Sequence, residues 1–560
     1  MRILIIIAAC LFISSSDAQV NIKNGNFYVS YTDAKFAGTQ GAIGKIQRTY
    51  NSKSNEIGWF GYGWGSRLET KLVYYPDGNV KVKEYGAGGI NVFTSALQDD
   101  LLAEEMIDLI IDVEIDNDIL SNTPTLIAKQ TEKYTSTNER FAAYEKYLKK
   151  NYIEPNIDIP EGISWQSFNR GDQQLVFENN QFIRTNSSGE KEYFDLKGHM
   201  VKYELKNGYY TEIIFKNNKV AQLRQKNGLV IDFKTTSKGY IEQINYTLND
   251  EEKEAIFTYE NDNLISSKDT GGYHYEFVYD KKHNMTQTIY NPVRFKGEPI
   301  DARYMFYQDN SNFISKIISR DSSEIKEYKY NKYYKESGEI DDFHYGTEVK
   351  TTLKDELPET SSYEYYIGQR ANGSTYSRKI ITKYDGITKS QTYDETCTNQ
   401  PTRIEIGEQW TNFKYDKNCN LLEKEKSTGE YVRLKYHPSL KKMIEVQQDE
   451  NTFYYKYDER GNIIYGKKNE DPPVYFTYNK LDQILTMKNG ETTMNMEYNA
   501  IGKPTKIAIK DVGEINVTYD NNGEIERVDS SDGAKMTLLV TQSFQNLLQI
   551  VKPANLDYNL

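Results

Sequence analysis

The amino-acid sequence predicts an all-β protein, in which a large antiparallel sheet of repeated hairpins of about 21 residues curls into a shell. Two observations predict this fold class. Tyrosine is over-represented, with 47 residues in a chain of 560, and many of these tyrosines recur at a fixed interval. A third observation adds a small α-helical insertion, because the alternating strand pattern stops near residue 94.

The composition sets limits on the core and on the partners. Hydrophobic residues make up 38% of the chain, below the roughly 45–50% that is usual for globular domains. Tyrosine combines an apolar ring with a polar hydroxyl, so it suits a sheet with one wet face. The net charge of −12 argues against nucleic acid as a partner, because phosphate binding requires a basic surface.

Residues 1–18 have the pattern of a signal peptide. An apolar run covers Ile3–Ile13, and Ser16 and Ala18 supply the small residues that precede a cleavage site. Lipidation at Cys10 is the alternative for this segment. No later stretch is long and apolar enough to span a bilayer. We therefore expect export to the periplasm, the outer-membrane surface or the medium, with peripheral outer-membrane association as an option.

Residues 19–93 form the predicted N-terminal β region, and a cluster of glycine and tryptophan stands out within it. The cluster has two interpretations, a cradle for a ligand or a structural cap where the sheet begins. No helix start or phosphate-loop spacing follows it, which favours the cap. The predicted cap residues are Gly58, Trp59, Gly61, Gly63 and Trp64.

Residues 94–164 are predicted to be an acidic helical insertion, a hairpin of two helices that lies on the sheet or plugs its mouth. Ser95 with Gln98, and Ser136 with Glu139, have the spacing of capping boxes. The first helix carries a run of acids without an intervening base, which predicts either a solvated face or a surface for a protein partner. The candidate docking residues are Asp99, Asp100, Glu104, Glu105, Asp108 and Asp112. The glycine and terminal glutamate of a calcium loop are missing here.

Residues 165–535 contain the repeat. A strand ends at a tyrosine, and an Asp or Asn that caps a turn follows it. About 21 residues suffice for two strands and two turns, so each unit is predicted to be one antiparallel hairpin. Turn capping explains the aspartates without a metal ion. The most regular units are centred on Tyr415, Tyr436, Tyr457, Tyr478, Tyr498 and Tyr519.

This pattern resembles the YD repeat of rearrangement hotspot (RHS) proteins, the bacterial relatives of teneurins and toxin-complex shell proteins. The words "RTYNS" and "FGYGW", which lie between Arg48 and Trp64, resemble the segment that begins the shell in bacterial members. The resemblance implies a β-sheet that spirals into a hollow cocoon, and in toxin members this cocoon encloses a C-terminal effector.

The chain departs from the toxin-carrying members of this family at its C-terminal end. A motif of the "DPxGL" type, which resembles an aspartyl autoprotease in those relatives, is missing near the C-terminus. Residues 536–560 are too few for a folded toxin and are predicted to be a C-terminal cap on the sheet edge. The sequence is also shorter than a full cocoon requires. Neither self-cleavage nor toxicity is therefore carried over.

Two cysteines, Cys397 and Cys419, remain once the signal peptide is removed. Each stands four residues after a repeat tyrosine, so the two occupy equivalent turns of neighbouring hairpins. Such turns are about 10 Å apart in a regular sheet, whereas a disulfide needs Cα atoms within about 7 Å. Either the turns lean together or the thiols stay unpaired. Export favours a disulfide.

We expect no enzymatic activity and no cofactor. The five histidines are scattered, without zinc spacing, and no G-x-S-x-G motif is present. The leading hypothesis is a shell that acts as a scaffold or binding subunit for a polypeptide in an envelope, surface or secretion-linked complex. A surface adhesin that recognises glycans through tyrosine, tryptophan and amide side chains is the alternative. A secreted hydrolase is the second alternative.

Overall fold

The structure is a computed structural model. It describes residues 18–530 and residue 542, except for thirteen short segments. Those segments are 37–43, 86–87, 96–99, 155–158, 168–172, 249, 293–300, 310, 320–321, 371–374, 491, 500–501 and 520–524. The predicted signal peptide up to residue 17, Cys10 included, lies outside the described residues, as does nearly all of the predicted C-terminal cap.

The chain begins with a small separate sheet, which we call the plug (residues 18–70). Four of its strands form a sheet in the order β1-β2-β3-β6, and β4 pairs with β5. A short 3₁₀ helix, Arg67–Glu69, ends it. The strands are β1 (Ala18–Asn21), β2 (Asn26–Lys35), β3 (Lys45–Asn51), β4 (Ile57–Gly58), β5 (Gly61–Tyr62) and β6 (Trp64–Ser66).

All later strands belong to one main sheet, in which each strand pairs antiparallel with the next along the chain. Residues 71–93 of the predicted N-terminal region, together with residues 94–95 of the predicted insertion, form its first three strands. The first half of the sheet contains β7 (Lys71–Tyr74), β8 (Val80–Lys83), β9 (Ile90–Ser95), β10 (Ser164–Ser167), β11 (Gln173–Glu178), β12 (Gln181–Thr185), β13 (Lys191–Phe194), β14 (Met200–Glu204), β15 (Tyr210–Lys216), β16 (Lys219–Gln225), β17 (Val230–Thr235), β18 (Ile241–Leu248), β19 (Glu251–Glu260), β20 (Asn263–Lys268), β21 (Tyr273–Tyr279), β22 (Met285–Pro292), β23 (Asp301–Tyr307) and β24 (Ile314–Ser319).

The second half of the sheet contains the regular repeat. Its strands are β25 (Glu324–Tyr334), β26 (Ile340–Leu353), β27 (Glu359–Gln369), β28 (Thr375–Tyr384), β29 (Ile387–Tyr393), β30 (Pro401–Ile406), β31 (Gln409–Tyr415), β32 (Leu421–Lys426), β33 (Tyr431–Tyr436), β34 (Met443–Gln448), β35 (Asn451–Tyr457), β36 (Ile463–Lys468), β37 (Val474–Tyr478), β38 (Ile484–Asn489), β39 (Thr492–Tyr498), β40 (Pro504–Ile509), β41 (Gly513–Tyr519) and β42 (Ile525–Ser530). The predicted all-β class and its hairpin repeat are therefore confirmed.

The repeat tyrosine ends its strand, as the sequence predicts, and links neighbouring hairpins through its hydroxyl. Tyr478, for example, donates to the carbonyl oxygen of Ile463 at 2.8 Å, and Ile463 is the residue paired with the previous repeat tyrosine, Tyr457. Bonds of the same kind begin at Tyr259, Tyr279, Tyr307, Tyr330, Tyr415, Tyr436, Tyr457, Tyr498 and Tyr519. A ladder of side-chain bonds thus reinforces the backbone ladder.

The pairing register shifts just before the repeat tyrosine, as between Lys456 and Tyr457 and between Thr477 and Tyr478. Such a β-bulge bends its strand and increases the local twist. The aspartate that follows caps the turn, because Asp458 Oδ1 accepts the backbone N–H of Asn462 at 2.8 Å. A bend repeated at the same edge of successive hairpins explains why the sheet curls.

The sheet returns on itself as a spiral. Lys442, in the β33–β34 turn, donates to the Ser187 carbonyl in the β12–β13 turn at 3.3 Å. Lys206, in the β14–β15 turn, donates to Asn462 Oδ1 in the β35–β36 turn at 2.8 Å. Each of these hairpins therefore meets one that lies 21 strands further along. We call this contact the seam.

The insertion contains three helices rather than the predicted two, namely α1 (Asp100–Asp116), α2 (Pro124–Tyr134) and α3 (Thr137–Lys149). Ser136 is the N-cap residue of α3, but its side chain makes no capping hydrogen bond, so the predicted capping box with Glu139 is not formed. Ser95 instead ends β9, and α1 begins at Asp100. The helices lie on the outer face of β7–β9 and have their own core, in which the rings of Tyr75 and Phe141 stack at 3.7 Å.

Candidate functional site

The predicted N-terminal cap residues lie at the junction of the plug with the main sheet. Gly61 has a φ of +90°, and a Cβ atom there would lie 2.6 Å from the Asp262 carbonyl oxygen in the β19–β20 turn. Gly63, with a φ of +75°, leaves room for the ring of Tyr50. Gly58 pairs with Gly61 across β4 and β5. Close approach of neighbouring atoms therefore explains these glycines, as the cap interpretation expects.

Trp64 is wholly buried and contacts a buried ion pair that belongs to the plug. The Arg48 guanidinium carbon lies 4.4 Å from the Trp64 ring centroid, and Arg48 Nε donates to Asp33 at 2.9 Å. Arg48 also reaches the main sheet, where its Nη2 donates to Ser267 Oγ at 2.6 Å. Burial raises the pKa of Asp33 to about 6, against the opposing effect of Arg48.

Trp59 binds the plug to the adjacent turns of the sheet. Its carbonyl accepts the backbone N–H of Ile241 at 2.7 Å, and its ring packs edge-on against Phe215. Its own N–H donates to the Glu69 carboxylate, which is buried and carries a pKa that burial raises to about 7. Plug and sheet are thus joined by backbone bonds as well as by rings.

Further bonds from the plug follow successive turns of the sheet. The Tyr62 N–H donates to the Asp262 carbonyl at 2.8 Å, and the Gly25 carbonyl accepts from Ile314 at 3.0 Å. Trp64 Nε1 donates to the hydroxyl of Tyr279, a repeat tyrosine, at 3.0 Å. The plug therefore spans several consecutive hairpins and holds their spacing.

A polar pocket of about 260 Å³ lies where the 3₁₀ helix covers the first strands of the main sheet. At its floor, Arg184 Nε donates to Glu192 at 2.8 Å and Arg184 Nη2 donates to Glu84 at 3.1 Å. At its rim, the Arg67 guanidinium lies 4.2 Å from the ring centroid of Tyr203. Both carboxylates raise the pKa of Arg184 against the effect of its burial.

Sequence reasoning missed this pocket. One local signal was present. Side chains two residues apart on a strand share a face, so Arg184 lies on the buried face with Phe182, and Glu192 lies on the buried face with Phe194. A charged residue at a buried position is unusual and could have marked the pocket. The pocket also depends on Arg67 and Glu84, which lie about a hundred positions earlier in the chain. No local pattern joins those segments.

The predicted acidic docking surface is partly assembled on α1. Glu104, Glu105, Asp108 and Asp112 are exposed on this helix. Asp100 begins α1, and Asp99 lies outside the described residues. The neighbouring carboxylate Glu114 differs, because it is buried.

Glu114 joins the three helices instead of facing solvent. Its Oε1 atom accepts from the hydroxyls of Tyr134 and Tyr147, both at 2.6 Å, and its Oε2 atom accepts from Gln130 at 2.8 Å. The acidic run therefore divides into an exposed group on α1 and one buried structural carboxylate.

Cys397 and Cys419 are joined as a disulfide, with their Cα atoms 5.4 Å apart. The turns of neighbouring hairpins therefore lean together, which was one of the two alternatives that the sequence left open. Cys419 has a φ of +61° in a turn closed by its N–H and the Asp416 carbonyl. That turn geometry brings the two sulfur atoms together.

The described ranges contain neither a metal-binding cluster nor a membrane-spanning helix. No three His, Cys, Asp or Glu side chains in that part of the chain are placed to share one metal ion. Among the helices that the structure describes, none has both the length and the apolar character that crossing a membrane requires.

The comparisons with known proteins give a short match and several structural likenesses. A family model described as a domain of unknown function (DUF6531) matches residues 17–87, which cover the plug and the first strands of the main sheet. No curated protein matches the chain.

Solved structures of toxin complexes resemble the chain at low identity. A crystal structure of TcdB2-TccC3-Cdc42 has a TM-score of 0.42 at 10% identity, over 92% of this chain and 28% of that one. The crystal structure of TcdB2-TccC3-TEV has a TM-score of 0.43 at 10% identity, over 94% of this chain and 29% of that one. The structure of the Photorhabdus luminescens Tc holotoxin pore has a TM-score of 0.34 at 9% identity, over 91% of this chain and 26% of that one. This chain spans less than a third of the length of each.

Proposed function

We propose that the chain is an exported, non-enzymatic RHS-like β-shell that acts as a scaffold or binding subunit in a cell-envelope, surface or secretion-linked complex. In this role it encloses or docks a polypeptide. The seam is the observation that carries the proposal. Because hairpins 21 strands apart are in contact there, the sheet winds into a shell instead of lying open.

The distribution of buried charges supports an architectural role. Asp33 pairs with Arg48 inside the plug, and Arg140 of α3 reaches Asp77, which follows β7, at 3.2 Å. These pairs join one element to another. A buried charge that loses its partner is strongly destabilising, so such pairs fix the relative placement of elements.

The exposed acids of α1 are the surface on which a protein partner would dock. The three helices form their own core on the outer face of β7–β9, so this surface projects away from the plug and the inner face. A basic partner would be steered to it by charge.

A pull-down of the tagged protein from its native envelope in mild detergent, with stoichiometry by mass spectrometry, tests the proposal. We expect a partner in fixed ratio, and loss of that partner in the variant Glu104→Lys/Glu105→Lys/Asp108→Lys. The matched control, Glu252→Lys/Glu254→Lys/Glu260→Lys, reverses three exposed charges on β19. Recovery of the protein alone, or equal loss in both variants, would contradict the proposal.

Surface adhesion remains the second candidate, and exposed tyrosines on the outer face favour it. Tyr454 on β35 and Tyr475 on β37 are 42% and 51% exposed. The ring centroid of Tyr475 lies 5.5 Å from that of Tyr465, on the strand between them. Aromatic rings with polar neighbours suit sugar faces. Binding on a glycan array that is lost in Tyr475→Ala would support adhesion, and retained binding would count against it.

A further inference from the structure

The first eight strands of the main sheet close into a ring. Lys71 of β7 forms a bridge with His199, next to β14, and the Leu72 N–H donates to the Gly198 carbonyl at 2.8 Å. The interior of this ring has two layers. One layer is apolar and buried and includes Val82, Leu175, Phe182 and Phe194. The other is polar, and it lies two residues away on the same strands at Glu84, Gln173, Arg184 and Glu192.

The polar layer is a costly way to fill the ring. Arg184, Glu84 and Glu192 are each less than a tenth exposed, and removing charges from water is expensive even when they are paired. The adjacent apolar layer shows that the same strands close well around hydrophobic side chains. A polar layer that leaves a pocket of about 260 Å³ therefore points to a bound molecule.

The pocket selects the chemistry of that molecule through its mixed lining. Guanidinium and amide donors alternate with carboxylate acceptors, and the rings of Tyr85 and Tyr203 stand at the wall. Hydroxyl groups both donate and accept, so a polyhydroxylated molecule satisfies neighbours of either kind. A volume below the roughly 300–1,000 Å³ of pockets for drug-sized ligands suits about one sugar ring.

Charge balance argues against an ionic ligand. Three carboxylates, Glu84, Glu190 and Glu192, line the pocket and repel an anion. A cation competes with Arg67, which already lies over Tyr203 and 3.9 Å from Glu192. We propose that this pocket binds a neutral sugar, either free or as the terminal residue of a glycan. The proposal is independent of the scaffold function.

The test is saturation-transfer NMR on the full chain with a panel of free neutral monosaccharides at millimolar concentration, followed by titration calorimetry. We expect at least one sugar to bind, and Glu190→Gln to weaken it about tenfold or more. Glu430→Gln is the matched control. The Glu430 carbonyl accepts the Lys426 N–H and closes its turn, just as the Glu190 carbonyl accepts the Asn186 N–H, but Glu430 does not line the pocket.

A second variant separates lost binding from lost folding. Tyr203→Phe removes only the hydroxyl that hydrogen-bonds Glu190 and Arg67, and keeps the ring. The sugar should raise the thermal midpoint of the wild type, as any ligand specific to the folded state does, and raise it less in Tyr203→Phe. The proposal is overturned if no monosaccharide binds, if Glu190→Gln and Tyr203→Phe bind like the wild type, or if Glu430→Gln weakens binding as much as Glu190→Gln does.

Discussion

The hydroxyl of Tyr478 donates a hydrogen bond to the carbonyl of Ile463, the residue that pairs with the preceding repeat tyrosine. One side chain thereby ties each hairpin to the one before it. Tyr478→Phe should lower the free energy of unfolding by about 1 kcal/mol, the usual worth of one intramolecular hydrogen bond.

Hydrogen exchange of β37 and β38 would measure this loss locally. Tyr475→Phe is the control, since Tyr475 lies on the same strand with its ring half exposed on the other face. Equal exchange in the two variants would show that the ladder bond contributes nothing.

The close approach of the plug to the β19–β20 turn predicts a specific effect of Gly61→Ala. A side chain at Gly61 meets the Asp262 carbonyl at 2.6 Å, in addition to the strain of a φ of +90°. Gly429→Ala provides the comparison, because Gly429 has the same φ and nothing within 4 Å of an added Cβ atom. The strain alone costs about 1–2 kcal/mol.

We expect limited proteolysis to release the plug from Gly61→Ala well before Gly429→Ala. If the two variants resist proteolysis equally, the contact with Asp262 does not hold the plug in place.

The disulfide between Cys397 and Cys419 predicts that neither thiol reacts with maleimide in the folded, unreduced protein. Replacing both cysteines by serine should destabilise the β29–β32 hairpins by about 3 kcal/mol, as expected for a closed loop of this size. Peptide mass mapping after labelling checks the first expectation, and thermal unfolding checks the second. Stoichiometric labelling of both positions would contradict the bond.

The buried carboxyls of the plug predict a pH dependence. Burial raises the pKa of Glu69 from 4.5 to about 7 and that of Asp33 from 3.8 to about 6. A raised carboxyl pKa means that the folded state favours the protonated form, so this stability is present at low pH and is lost as the pH rises. We expect the plug to weaken between about pH 4 and pH 7.

Tryptophan fluorescence during denaturant unfolding follows this change, since Trp59 and Trp64 belong to the plug. Glu69→Gln should reduce the dependence of plug stability on pH, whereas Glu252→Gln, at an exposed position, should leave it unchanged. A plug whose stability rises with pH over this range would contradict the prediction.

Local patterns allowed most of the repeat to be predicted. A strand that ends at Tyr457, followed by the turn-capping Asp458, is encoded within a few residues, so the sequence shows it directly. The helix α2 was missed because Thr123 and Pro124 begin a mostly polar segment that lacks a strong apolar period. The burial of Glu114 could not be predicted locally, because its two tyrosine partners lie 20 and 33 positions away.

The candidate sites were harder to predict, because distant segments build them. The ring pocket joins Arg67, Glu84 and Arg184 across more than a hundred positions. The leaning of two neighbouring turns, which brings Cys397 to Cys419, depends on turn geometry that spacing alone does not contain. Sequence periodicity predicts the individual strands and helices, whereas these sites depend on how the strands pack against one another in three dimensions.

The position of the plug in the chain also fixes an order of assembly. Arg48, Tyr50 and Trp64 bond to residues that follow 219, 233 and 215 positions later, whereas a ladder tyrosine reaches back only 14 to 22 positions. Contacts close in sequence form early, and those that close long loops form late. The plug is therefore made before the hairpins that it binds, and it docks after they have formed. Its complete docking requires the strands up to β28 to be in place, because Lys23 of the plug donates to Ser377 on that strand. A docked plug therefore indicates that the sheet has wound correctly.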